Sequence, residues 1–365
     1  MGFFGSMGTR AKQLLLRARL RWVTGSAWRR RHRKVFAMHP EYARPAPPAV
    51  EREHLRMWRR LRRSFRLDTL RICHNTAGEA PPEIVPEEVF ASEVEPALNR
   101  HDECLLLGNK ALCDVWLPPG SAPHAFLRNV DGAFLNGELH ALTLAQVRQV
   151  LDSLVFPLVL KPAVGKGGID VSMVESRQEL DALIHDRQDY VVQERVQGHP
   201  FFRRFNDYGL NTLRVCTYRS VATERVHVLN AALRMGRTGK LDNLTQGGVA
   251  VPVHEDGRLH HYAVDLYGAK YSEHPDSRVD FTAGEHIPQF EGMCELAVRV
   301  AGRAPLARML SLDVCLDAAG RWRVIEVNVR HQTVRMFQCA GRAFFGRFTR
   351  EVIDHCRRNP RWPLY

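Results

Sequence analysis

The run FPLVLKPAVGKGGIDVSMV, Phe156 to Val174, decides how the chain is read. Phe156–Leu160 is apolar and suits a buried strand, and Ile169–Val174 alternates like a second one. Between them, Lys161 closes the first strand and Val164-Gly165-Lys166-Gly167-Gly168 forms a glycine-rich loop. Glycines let backbone N–H groups approach oxygens closely, and an ammonium offsets their charge, so the unit can hold a polyphosphate. An ordinary hairpin with a surface lysine would read the same way. GKGG does not complete G-x-G-x-x-G, and no G-x-x-x-x-G-K-[ST] occurs in the chain.

Composition narrows the alternatives. At 365 residues, 45% hydrophobic and 25% charged, the chain is long enough for a large core and two or three lobes. The net charge of +12 is concentrated in residues 1–72, with 19 Lys/Arg against 4 Asp/Glu. The eight cysteines form no C-x-x-C pair and several fall in apolar runs, which predicts buried free thiols in a reducing compartment and places the protein in the cytoplasm. No apolar run reaches 18 residues, so no transmembrane helix is expected.

Along the chain, Ala11–Phe36 should be helical, and Glu51–Leu70 should form a second basic helix. Two readings of this segment stand. It is a helical cap packed by its Leu/Trp face, or residues 10–71 meet anionic lipid at the inner face of a membrane. Aromatic interleaving is sparse, so no nucleic-acid partner is expected. Pro81–Pro96, PPEIVPEEVFASEVEP, reads as a linker or edge segment. Asn109-Lys110 should open a helix, and Thr143 should cap the helix to Ser153. YVVQERV at 190–196, NTLRVCTY at 211–218 and VHVLNAALRM at 226–235 read as strands. Intermingled helices and hairpins make the class α+β.

A second informative site lies near the C-terminus. Ser311–Leu316 and Val324–Asn328 read as strands joined by a tight turn at 317–320. Glu326 and Asn328 are two apart and share a face. The turn sets Asp313 opposite Val324, which brings Asp313 to that same face. Three oxygen-bearing side chains on an otherwise apolar hairpin are costly to bury unpaired, and a hard cation such as Mg²⁺ would satisfy them. A solvated polar face is the plainer reading.

Taken in order, Asn109-Lys110, Lys161 with Gly165–Gly168, Gln193-Glu194-Arg195-Val196, Asp242-Asn243 with Gly247-Gly248, Asp313 and Glu326-x-Asn328 resemble the ATP-grasp superfamily over about residues 100–340. The variety is similar to the sugar-transfer-associated ATP-grasp proteins, on VFASEVEPALNRHD, FLRNVDGAFLNG and NTLRVCTYR. The resemblance implies two α+β lobes clamping ATP, 99–190 and 191–358, after a basic N-terminal segment and linker, 1–98, with a tail at 359–365. It implies that Lys110 and Lys161 contact the α- and β-phosphates, that the loop Gly165, Lys166, Gly167 and Gly168 closes over the triphosphate, and that Gln193, Glu194 and Val196 border adenine. Asp313, Glu326 and Asn328 would hold Mg²⁺. Arg214, Arg234 and Asn243 would approach the γ-phosphate or the acceptor. The implied activity is an ATP- and Mg²⁺-dependent carboxylate–amine ligase acting on a small-molecule or glycan acceptor in surface-polysaccharide or glycoconjugate synthesis. A kinase of a sugar-like hydroxyl and a nucleotide-binding accessory subunit of a glycan assembly at the membrane surface remain open beside it.

Overall fold

A computed structural model describes residues 9–165, 171–185, 187–237 and 244–361. The fold is α+β, as expected, and is built on two antiparallel sheets. In the first, β1 (Ala125–Val130), β2 (Ala133–Leu135), β3 (Leu158–Pro162), β4 (Ser172–Val174) and β5 (Tyr190–Glu194) lie in the order β2-β1-β5-β3-β4. β5 is therefore central to this sheet. Helices Leu144–Ser153 and Arg177–His185 cover one face through Val147, Leu151 and Leu180, which pack on Leu127, Leu158, Leu160 and Val192. Thr143 caps the first of them in a reciprocal pair with Gln146. Alternation along β3 turns Lys161 to the opposite face.

The second sheet has the order β10-β9-β8-β7-β6-β11-β12. Its strands are β6 (Thr212–Arg219), β7 (Val226–Met235), β8 (Val249–Val253), β9 (Ala263–Val264), β10 (Lys270–Tyr271), β11 (Met309–Leu316) and β12 (Trp322–Asn328). One face carries Leu213, Val215, Leu233, Val251, Leu312 and Val314 and is covered by helix Phe290–Gly302. The other carries Cys216, Ala232, Ala250 and Met309 and packs against Trp58, Phe90, Val94, Phe337 and Ile353. The N-terminal segment thus covers part of a sheet face and is no appendage.

That segment corrects two expectations. The second basic helix is really two, α2 (Pro48–Trp58) and α3 (Asp68–Ala77), which follow α1 (Thr9–Met38). Arg62 holds the turn between them, donating to the Ser64, Glu88 and Arg21 carbonyls and to the Ser92 hydroxyl. Pro81–Pro96 is not a linker: residues 87–98 form a continuous helical run with one π turn, and Glu87, Glu88, Glu93 and Glu95 in it are buried. Buried carboxylates need partners, and the basic helices supply them. Arg21 reaches Glu93 at 2.6 Å and Arg62 reaches Glu88 at 3.2 Å. His32 lies 3.1 Å from Glu87 and 3.5 Å from Asp68. Burial pushes the His32 imidazolium pKa down, but hydrogen bonds to those two carboxylates outweigh burial and raise it.

The run ends at Asn99, which is fully buried. Its amide donates to the carbonyls of Met309 and Val329, each at 2.7 Å, and its oxygen accepts the Met309 N–H at 3.0 Å. Glu95 accepts the backbone N–H groups of His331 and Gln332. The N-terminal segment is thereby tied to the open end of the β11–β12 hairpin, at the start of one strand and the exit of the other. All eight cysteines are free thiols, seven of them buried. Among the described residues, no helix is long and apolar enough to cross a membrane. Replacing Asn99 with Ala leaves three buried backbone groups without partners, so Asn99→Ala should lower unfolding stability by on the order of 3 kcal/mol. Urea denaturation checks this, and a change under 1 kcal/mol would show that the bridge is dispensable.

Candidate functional site

The site lies where the exposed face of the first sheet meets the polar end of the second. On the first side, Lys161 projects from β3 among Ala111, Ala125, Ala163 and Val191. Lys110 sits in the loop after the 3₁₀ turn Asp102–Gly108, and its backbone N–H bonds to the Ala163 carbonyl at 2.8 Å. It does not open a helix; the next helical turn is Cys113–Trp116. Gly108 explains how this loop comes so close to the second sheet, because a Cβ there would lie 2.9 Å from the Val327 carbonyl oxygen. As a result Lys110 Nζ is 3.3 Å from Glu326 Oε1 and donates to the Gly165 carbonyl at 2.8 Å. Both lysines are buried to about 9% exposure. Burial lowers the Lys161 pKa and so does the charge of Lys110, while Cys113 and Glu326 raise it part of the way back. A group in that state gains from an arriving polyanion.

On the second side, β12 departs from the expected register. Asp313 pairs with Glu326 rather than Val324, and Val314 pairs with Val324, so Ile325 is an extra residue on its strand. The bulge explains why Trp322 and Val324 upstream, and Val327 downstream, all face the apolar core. It also gives Arg323, Glu326 and Asn328 one common face. In a regular strand, positions 323 and 326 would point to opposite sides. This is why sequence reading missed Arg323. Arg323 is buried and donates to Glu194 Oε1 at 2.6 Å. It also lies 3.3 Å from Asp317 Oδ2.

Asp313 is the most heavily engaged carboxylate. Arg214, its register partner on β6, grips it through both oxygens at 2.7 and 2.6 Å, and Arg234 Nη1 reaches Oδ2 at 2.9 Å. Burial opposes ionisation, but the two guanidiniums outweigh it and hold the Asp313 pKa down to about 2. Both Asp313 oxygens thus serve arginines, while Glu326 and Asn328 face the lysines. Among the described residues no group of three or more His, Cys, Asp and Glu side chains is arranged as a metal centre. Glu326 and Asn328 nevertheless supply two hard oxygens on one face, and the buried Asn328 Nδ2 makes no hydrogen bond. That donor set fits Mg²⁺, which binds through one or two protein oxygens and keeps waters and phosphate oxygens as its other ligands.

The remaining expected residues divide. Gln193 is buried on β5. Glu194 has its carboxylate on Arg323 and on the His124 N–H at 2.9 Å, and Val196 is half-buried just beyond the strand. Lys166, Gly167, Gly168 and Asn243 lie outside the described residues. Two neighbours outside the expected set do structural work: His199 accepts the Phe201 N–H and caps helix Pro200–Arg203. Arg330 turns toward the N-terminal segment, onto the Asn99 carbonyl and Asp102.

Two lobes that each bring a sheet, with lysines on one and carboxylate and amide on the other, define an ATP-grasp protein. The chain belongs to the sugar-transfer associated ATP-grasp family, whose model matches residues 90–352. Among solved structures it is similar to the biotin carboxylase domain of 2-oxoglutarate carboxylase from Hydrogenobacter thermophilus, at 14% identity over 64% of this chain and 45% of that one, with a TM-score of 0.37. It is similar to the L-amino acid ligase of Bacillus licheniformis at 16% identity over 65% and 48%, with a TM-score of 0.36. The VanG D-Ala:D-Ser ligase of Enterococcus faecalis gives 15% identity over 73% and 63%, with a TM-score of 0.38. The chain spans less than two thirds of the length of each of these three. No curated protein matches it.

The Asp313 cluster yields a pH prediction. A carboxyl whose pKa is lowered on folding contributes stability above its unfolded pKa of about 4, and that contribution is lost as pH falls through the folded value of about 2. Asp313→Asn removes the carboxylate that Arg214 and Arg234 share and should cost about 3–5 kcal/mol at neutral pH. The gap from wild type should shrink as pH drops below 4. Denaturant titrations across that range test it, and a gap independent of pH would reject the ion triad.

Proposed function

We propose that the protein is an ATP- and Mg²⁺-dependent carboxylate–amine ligase that builds or modifies a surface polysaccharide or glycoconjugate. The observation that carries the chemistry is the convergence of buried Lys110 and Lys161 on Glu326 across the gap between the sheets. The glycan context rests on the family's description alone.

In this reading the triphosphate enters between the lysines and the β11–β12 face. Lys110 leaves the Gly165 carbonyl and takes phosphate oxygens, and the anionic charge arriving beside Lys161 offsets the cost of its burial. Glu326 and Asn328 would hold Mg²⁺, which would supply neutralising charge to the triphosphate when bound. Arg214 and Arg234 stand next to the same face, fixed in position by Asp313. The acceptor carboxylate oxygen attacks the γ-phosphorus, the bond from that phosphorus to the bridging oxygen breaks, and ADP departs. The amine then attacks the acyl carbon, a C–N bond forms, and inorganic phosphate leaves while the amine gives up its proton to water. Side-chain cations spread charge and orient groups, so no covalent nucleophile from the protein is required.

Glu326→Ala should abolish Mg²⁺-dependent ATP turnover while leaving the protein folded, at a lower melting temperature because Lys110 and Lys161 lose their carboxylate, and Lys161→Ala should lower kcat/KM by roughly 10²-fold or more. ADP and phosphate release is measured with a panel of acceptors. A ligase releases both only when carboxylate and amine are present together. Phosphate retained on a hydroxyl acceptor without an amine would replace the ligase reading with a kinase. Full activity of Glu326→Ala would remove the metal role from this face.

A further inference from the structure

The outward face of α1 belongs to neither sheet nor to the ATP site. The helix is 30 residues long and holds no Asp or Glu. Its inward stripe, Leu16, Trp28, His32 and Val35, is buried against the rest of the protein. Outward, Trp22 is 72% exposed, Leu14 57%, Leu15 47% and Val23 46%. Positions 15, 22, 29 and 33 fall in line along one side of a helix. The first two are apolar and the last two are arginines, with exposed Arg30 beside them. From 15 to 33 the line runs about 27 Å along the axis. Next to Trp22 a cleft of about 410 Å³ opens between α1 and the α2–α3 turn, bordered by Arg21, Arg29, Arg62 and Arg66.

We propose that this face docks on an anionic lipid bilayer, with α1 lying in the plane of the surface. Leu15 and Trp22 enter the boundary between headgroups and acyl chains, and Arg29, Arg30 and Arg33 meet lipid phosphates. The charge is complementary, since an acid-free helix with clustered arginines faces a negative leaflet. The apolar part of the face selects lipid over other polyanions. Nucleic-acid affinity comes mainly from phosphate contacts, which gives no use to Leu15 and an indole standing in water. A straight, convex apolar-to-cationic line suits a planar interface, where tryptophan is favoured at headgroup depth.

The test uses the full chain and co-sedimentation with vesicles of phosphatidylcholine alone or mixed with phosphatidylglycerol. Binding to the mixed vesicles should be at least about tenfold tighter and should weaken with added salt. Leu15→Ser with Trp22→Ser should weaken it about tenfold or more at low salt. Arg29→Glu with Arg30→Glu and Arg33→Glu should remove the preference for the anionic lipid. All five positions are outward-facing, so the melting temperature and ATP turnover in solution should stay at wild-type values, which keeps this result separate from the ligase reading. Equal binding to both vesicle types overturns the proposal, as does wild-type binding by the Leu15/Trp22 variant. So does a chain that ignores vesicles and instead dimerises through Trp22.

Discussion

Two ammonium groups cannot be buried side by side in a protein unless a carboxylate stands between them and the cost of losing water. Lys110 and Lys161 are in that position, and Glu326 is the carboxylate. Much of the architecture follows from keeping that arrangement in place. Lys161 is fixed by β3 in the first sheet, Glu326 by β12 in the second, and Lys110 by a loop that reaches from one to the other because Gly108 has no side chain. The first sheet is held rigid by its helices, the second by apolar layers on both faces. The gap between them is consequently polar, narrow and already supplied with charge before any ligand arrives.

The same logic recurs at Asp313 and in the N-terminal segment. One carboxylate orders two arginines on the sheet surface. In the N-terminal segment the roles are exchanged, and a buried acidic helical run is neutralised by Arg21, Arg62 and His32. Each cluster places full charges where water is scarce, and each is balanced locally, so none needs charge from solution to fold. What distinguishes the Lys110–Lys161–Glu326 group is that its surplus positive charge lies in the gap between the two sheets, which is the condition for receiving phosphates.

The sequence made the central parts legible because they are local. Lys161 announces itself at the end of an apolar strand, and Glu326-x-Asn328 shares a face by simple alternation. The helix to Ser153 was readable from Thr143 and Gln146, three residues apart. What escaped was non-local. Arg323 belongs to the site only because Ile325 is bulged out, and no pattern in VIEVN reveals which residue of a strand will be left unpaired. PPEIVPEEVFASEVEP read as a linker or edge segment because five glutamates in a proline-rich stretch usually are exposed. Their partners lie as far away as Arg21 and Arg62. The break between α2 and α3 was hidden for a similar reason, since Arg62 holds that turn by reaching carbonyls and a hydroxyl across the segment.

The extra residue at Ile325 has one more consequence. It works as a phase shifter within a single strand. Upstream of it, odd-numbered Arg323 faces the polar gap; downstream, even-numbered Glu326 and Asn328 do, while Trp322, Val324 and Val327 keep to the oily side. The strand is thus written in two reading frames joined at one position. Substitutions along it change one side chain at a time. Were Ile325 paired in the ladder instead of bulged, the frames would exchange, sending Glu326 and Asn328 into the hydrocarbon layer and Val327 into the gap. For this segment, which residue is left out of the ladder decides what every later one faces.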